Sequence, residues 1–223
     1  MTYKYALFDM DGTLLDSMGC WRCGLVKYVE EKYGQDKLGD DVSAEIINRS
    51  TRDAIRYYKS INKEDNTPDS VMIDIIRRNT HECYKKGCPI KPGAQKLLHY
   101  CRESGVKVCL ITATPIVMVH DALKASHLDE ALFDMIFTCD SKEMSKERTL
   151  CFETVLGRLG AKSVDEAILF EDALYSIKTA KSMGIHTVGV YDEYSKYYTD
   201  EIRNTADEFY DNLEGFCQKY GIE

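Results

Sequence analysis

Two aspartates stand two residues apart in Phe8-Asp9-Met10-Asp11-Gly12-Thr13, directly after the apolar run Tyr5 to Phe8. A carboxylate at the end of a buried strand projects into a crevice, and Gly12 permits a tight turn there. One such carboxylate can attack phosphorus in line and take the phosphoryl group. The second can protonate the leaving oxygen and later accept a proton from water. By average residue usage, a chance D-x-D-G-T in a chain of this length is on the order of one in several hundred. The pair therefore reads as phosphoryl-transfer chemistry rather than as a solvated turn with two incidental acids.

Other chemistries find less support. None of the five histidines, at positions 81, 99, 120, 127 and 186, sits beside a plausible serine or cysteine nucleophile, so a Ser-His-Asp or Cys-His enzyme has little support. Cys20 and Cys23 form a C-x-x-C, but on an amphipathic helix, and a zinc site would need Cys83 and Cys88 at an unusual spacing. Nine cysteines, scattered and odd in number, read as reduced thiols, with the pair as small helix-packing residues.

The elements that must position Asp9 and Asp11 follow from the apolar pattern. Runs at Val106 to Thr112, Met135 to Thr138, Ala167 to Glu171 and His186 to Val190 resemble the first one, and each suits a buried parallel strand. Thr114-Pro115 predicts a helix start with Thr114 as N-cap. Leu150 to Leu159 and Tyr175 to Met183 predict helices closed by Gly160 and Gly184. The alternation predicts an α/β doubly wound parallel sheet, which binds ligands at the carboxyl ends of its strands.

Residues 16 to 88 break this rhythm. Met18, Trp21, Leu25 and Val29 share a helical face ending at Gly34; further helical segments run near Val42 to Ile47, near Arg52 to Tyr58, and from Thr67-Pro68 to Gly87. The expected division is a core of residues 1–15 and 89–223 with an all-helical cap of residues 16–88. Its two connections should lie close together and could hinge.

The D-x-D-G-T segment resembles the first motif of the haloacid dehalogenase superfamily. Leu110-Ile111-Thr112-Ala113 is similar to the second, and Leu169-Phe170-Glu171-Asp172 to the fourth. Lys146 stands fourteen residues before Gly160, the spacing of the third-motif lysine, with Lys142 as the alternative. The resemblance implies a Rossmann-like core, Asp9 as nucleophile and metal ligand, and Asp11 as general acid/base. It implies Mg²⁺ held by Asp9, the Asp11 main-chain carbonyl and Asp172, with Glu171 as a further ligand or a neighbour of the ligands. Thr112, the Ala113 N–H and Lys146 would hold the phosphate. Ala173 and Ser176 depart from the serine and glycine usual after the fourth motif.

The helical cap after the first motif resembles subclass I and its β-phosphoglucomutase-like branch. Asp11 argues for phosphate esters, whose leaving alkoxide must be protonated. The sugar mutases of that branch carry a histidine where Trp21 stands, which favours hydrolysis of a small phosphorylated metabolite. A sugar phosphomutase and a non-catalytic phosphate-binding protein are the alternatives. Cap residues Trp21, Arg22, Arg49 and Arg52 are candidates for specificity.

A net charge of −8, from 29 Lys and Arg against 37 Asp and Glu, opposes nucleic acid and anionic membranes. No apolar run reaches the roughly 18 residues of a membrane span, and no signal segment precedes Asp9. The expectation is a cytoplasmic monomer or weak homodimer. Tyr191, Tyr194, Tyr197 and Tyr198 read as a packed loop and helix rather than a partner surface.

Overall fold

The computed structural model describes residues 3–33, 42, 46, 49, 51–141 and 143–223. The expected helix near Val42 to Ile47, the stop at Gly34 and the alternative lysine Lys142 fall wholly or largely outside these residues. The chain is an α/β protein built on a six-stranded, all-parallel sheet. Its strands are β1 (Tyr5–Phe8), β2 (Lys107–Thr112), β3 (Met135–Thr138), β4 (Ala167–Glu171), β5 (His186–Val190) and β6 (Glu208–Tyr210). They lie in the order β3-β2-β1-β4-β5-β6. The edge strand β6 has three residues and was missed in the sequence, being too short to show a period.

The central strands β1, β2 and β4 are mostly apolar and, apart from the exposed Lys107, buried along their length because both faces are covered. Along β1, Ala6 and Phe8 face one core cluster, while Tyr5 and Leu7 face the other. The first cluster is closed by α4 (Ala94–Glu103), α5 (Ile116–Ala125) and the helix Leu213–Lys219, the second by α6 (Thr149–Leu159) and α7 (Leu174–Met183). Phe8 stacks on Phe170 with ring centroids 4.6 Å apart, locking β1 to β4. Helix α5 starts one residue later than Thr114-Pro115 predicts. Pro115 is its N-cap, and the Thr114 hydroxyl is engaged elsewhere.

Between β1 and α4 run α1 (Met18–Tyr33), α2 (Thr51–Ile61) and α3 (Asp69–Tyr84), which share an apolar cluster of their own around Leu25, Ile55, Tyr58 and Met72. Gly24 lets α1 approach α3 closely, since a Cβ there would collide with the Thr80 hydroxyl and the Ile76 carbonyl. The two connections to the sheet run side by side. Asp16 N–H donates to the Pro89 carbonyl at 2.8 Å, and Lys91 N–H donates to the Leu14 carbonyl at 2.9 Å. Among the described residues, no helix is long and apolar enough to cross a membrane.

The expectation of reduced thiols throughout is corrected at one pair. Cys20 on α1 and Cys83 on α3 form a disulfide, their Cα atoms 5.5 Å apart where the two helices meet. Residues 63 positions apart become neighbours only through that packing, so spacing along the chain could not reveal the pair. Closing a loop of that size stabilises the fold by about 4 kcal/mol in the chain-entropy account. Cys83→Ser, or reduction by dithiothreitol, should lower the urea midpoint accordingly.

One buried charge organises the helical segment. Asp65, only 4% exposed, accepts from Tyr28 (2.6 Å), from Lys32 and from the Thr67 N–H (3.0 Å). Burial opposes its ionisation, but Lys32, Tyr28 and Thr67 outweigh that and hold its carboxyl below the usual range. A depressed folded pKa contributes stability that is full above the unfolded value of about 4 and is lost as pH falls through the folded one. Asp65→Asn should therefore cost about 2 kcal/mol at neutral pH in denaturant unfolding. The gap to the native chain should close as the pH is lowered below about 4.

Candidate active site

Strand register brings the motif residues together. Phe8 pairs with Phe170 on β4 and with Leu110 on β2, so Asp9 follows β1 beside Glu171-Asp172 on one side and the end of β2 on the other. Asp9, Asp11, Thr112, Ala113, Thr114, Lys146, Glu171 and Asp172 all line one cavity of about 110 Å³. It opens at the carboxyl ends of the strands, beneath α1, α2 and α3.

The floor of this cavity is crowded with negative charge. Asp9, Glu171 and Asp172 are buried, and one carboxylate oxygen of each lies within 4.8 Å of the others. Lys146, 3% exposed, donates to Asp9 Oδ1 and Glu171 Oε2, both at 2.6 Å. Glu171 Oε1 also accepts from the Asp172 and Ala173 N–H groups at 3.1 Å. Burial alone would lower the Lys146 pKa, but Asp9 and Glu171 override it and hold the ammonium charged. Burial, then Glu171, push the Asp9 carboxyl well above its usual range against the pull of Lys146. Burial and Glu171 do the same to Asp172.

These carboxylates thus have too little positive charge around them, and their oxygens suit a hard divalent cation. Gly12 belongs to the same packing. It sits at φ +83°, and a Cβ there would lie 2.5 Å from Asp172 Oδ2, so only glycine leaves that carboxylate in place.

Asp11 has a different environment. Its Oδ1 accepts from the Ser17 and Tyr84 hydroxyls, each at 2.5 Å, and its Oδ2 from Thr114 at 2.6 Å. Burial, then the charge of Asp11, keep the Tyr84 phenol well above its ordinary pKa, so it remains a donor. Thr112 Oγ1 accepts from the Thr114 N–H at 3.1 Å, fixing the turn after β2.

Sequence reasoning missed Tyr84, which closes α3, and Lys91. The Lys91 ammonium donates to the carbonyls of Gly12 (2.6 Å) and Tyr191 (2.7 Å) and to Asp192 (3.0 Å), clamping the turn after β1 to the loop after β5. Neither belongs to a motif. The one available signal was their nearness to the expected hinge.

The expected specificity residues divide. Trp21 and Arg49 line the cavity. Arg22 does not: on α1 the cavity face is the stripe Met18, Trp21, Leu25, and the next residue is turned about 100° away. Arg52 is exposed and lines an adjoining cleft with Arg56 and Arg77, one step round α2 from Thr51. At the departures after the fourth motif, Ala173 caps α7 without a side-chain bond, and the buried Ser176 hydroxyl has no hydrogen-bond partner among the described residues.

A family model for haloacid dehalogenase-like hydrolases matches residues 6–190. The chain belongs to this family of hydrolases. A probable pseudouridine-5'-phosphatase of Saccharomyces cerevisiae is 29% identical over 204 residues, covering 84% of this chain and 82% of the relative. Among solved structures, CbbY from Rhodobacter sphaeroides in complex with phosphate superposes with a TM-score of 0.78 at 19% identity, covering 95% of each chain. β-Phosphoglucomutase from Clostridium difficile does so with a TM-score of 0.77 at 17% identity, covering 98% of this chain and 97% of its own. These two likenesses concern the fold alone.

Removing the one cation bonded to both Asp9 and Glu171 would leave two buried carboxylates facing each other. Lys146→Met should lower the metal-free unfolding free energy by about 3–5 kcal/mol. Urea denaturation in EDTA measures it.

Proposed function

We propose that this hydrolase is a Mg²⁺-dependent phosphatase acting on a small phosphorylated metabolite through an aspartyl-phosphate at Asp9. The observation that supports this most is the buried trio of Asp9, Glu171 and Asp172, two of them bonded to Lys146, beside an Asp11 that accepts hydrogen bonds from three hydroxyls. One acid is thereby placed to attack and the other to move a proton. The phosphatase name of the Saccharomyces cerevisiae relative points the same way.

In this reading Asp9 attacks phosphorus in line, forming the acyl phosphate as the ester oxygen departs. Lys146 fixes Asp9 through Oδ1 and leaves Oδ2 without a hydrogen bond among the described residues. Asp11 gives its proton to the departing oxygen and then takes one from the water that hydrolyses the acyl phosphate. Protonated Asp11 would donate from Oδ2, and the Thr114 hydroxyl, a donor and an acceptor, would turn its O–H away. Thr112, the Ala113 N–H and Lys146 would hold the phosphoryl oxygens. Asp9, Asp172 and the Asp11 carbonyl would hold Mg²⁺, which when bound offsets the charge of the phosphoryl oxygens. Because Lys146 and two N–H groups already engage Glu171, its part is to orient these groups. Residues 16–88 would act as a cap that closes over the substrate and excludes water.

A sugar phosphomutase would need a proton-transfer group over the site. Among the described residues, the helical wall of the cavity offers no histidine or carboxylate, and the indole of Trp21 cannot serve.

Phosphate release from a panel of monoesters should require Mg²⁺, stop with EDTA and fall at least about a thousand-fold in Asp9→Asn. Undiminished release in Asp9→Asn would refute the assignment of Asp9.

A further inference from the structure

The cavity has two chemically distinct halves. Its floor holds the carboxylates, Lys146 and the threonines. The opposite wall comes from Met18, Trp21 and Leu25 on α1, Ala54 and Ile55 on α2, and Ile76 on α3, with Ile46 beside them. Among the described residues the polar groups of that wall are those of Arg49 and Thr51 and the indole N–H of Trp21, and the Arg49 guanidinium stacks 4.9 Å over the Tyr57 ring.

The phosphoryl group must sit on the floor, so the alcohol part of the substrate faces this wall. A polyhydroxylated sugar would lose its hydrogen bonds to water there and regain few, since the described residues of the wall offer one guanidinium, one hydroxyl and one indole N–H for four or five groups. A flat, weakly polar ring loses nothing of that kind and gains contact with the indole and the branched side chains. The wall also follows from helix geometry. Residues 18, 21 and 25 form one face of α1, so the apolar stripe that packs the helical segment continues into the cavity.

Resting on the phosphatase reading, we infer that the substrate is a phosphate monoester whose alcohol carries a planar, hydroxyl-poor ring seated against Trp21. Trp21 is then the residue that sets specificity, and it acts through binding rather than through the bond-making step.

The test compares kcat/KM with Mg²⁺ for benzyl phosphate, glycerol 1-phosphate and glucose 6-phosphate. All three release an aliphatic alcohol, so leaving-group basicity does not dominate the comparison. Benzyl phosphate should exceed glucose 6-phosphate by about ten-fold or more, the effect of burying a few apolar groups. Trp21→Ala should raise the KM for benzyl phosphate by about ten-fold more than it raises the KM for glycerol 1-phosphate. Trp21→Phe, which keeps a ring, should recover most of the loss and shows that the effect is not one of folding. Turnover of glycerol 1-phosphate with glucose 6-phosphate equal to or better than benzyl phosphate would overturn the substrate class while leaving the phosphatase reading intact. So would indifference of benzyl phosphate to Trp21→Ala. Release from none of the three would overturn both together.

Discussion

The salt bridge of Lys146 with Asp9 and Glu171 is the interaction on which the rest of the structure depends. Carboxylates gathered at the ends of β1 and β4 repel one another and have been taken out of water, a combination that costs several kcal/mol per uncompensated ion. Lys146 offsets part of that cost from the loop before α6. Lys91 contributes from behind by tying the Gly12 turn to Asp192. What these two cations leave unbalanced is the electrostatic need that a divalent metal would meet. A bound cation of that kind would give the site a local positive charge within a chain whose net charge is −8.

Asp11 connects this chemistry to the helices above it. Two of its three hydroxyl donors stand at the entrance and exit of the helical segment, Ser17 just before α1 and Tyr84 at the end of α3. The Cys20–Cys83 disulfide lies beside the same two points, and the Cys88 sulfur is 3.7 Å from that of Cys20. Any movement of these helices relative to the sheet would therefore pass through the contacts that Ser17 and Tyr84 make with Asp11.

The helical segment itself is stabilised by means unlike those of the sheet. It has an apolar cluster separate from the two that sandwich the strands, and at its centre lies a hydrogen-bonded aspartate rather than a continuous apolar interior. Part of its apolar surface is left to line the cavity. A polar, charged floor facing an apolar wall follows from this division of labour between the sheet and the smaller helical unit.

The sequence alone determined the parallel strands β1 to β5, the position of Asp9 at the end of β1 and the candidates Asp9, Asp11, Thr112, Lys146, Glu171 and Asp172, which the structure gathers at one cavity. Apolar runs that end in carboxylates or hydroxyls are local patterns, and a parallel sheet necessarily collects its strand ends on one side. Only the tertiary structure decided the rest. Tyr84 and Ser17 meet on one carboxylate oxygen, Lys91 braces a turn 79 residues away, and Cys20 finds Cys83. Trp21 reaches the cavity while Arg22 does not. These contacts join residues distant along the chain, or depend on the angle at which one helix lies over the sheet. Neither leaves a periodicity or a spacing that could be read before the chain is folded.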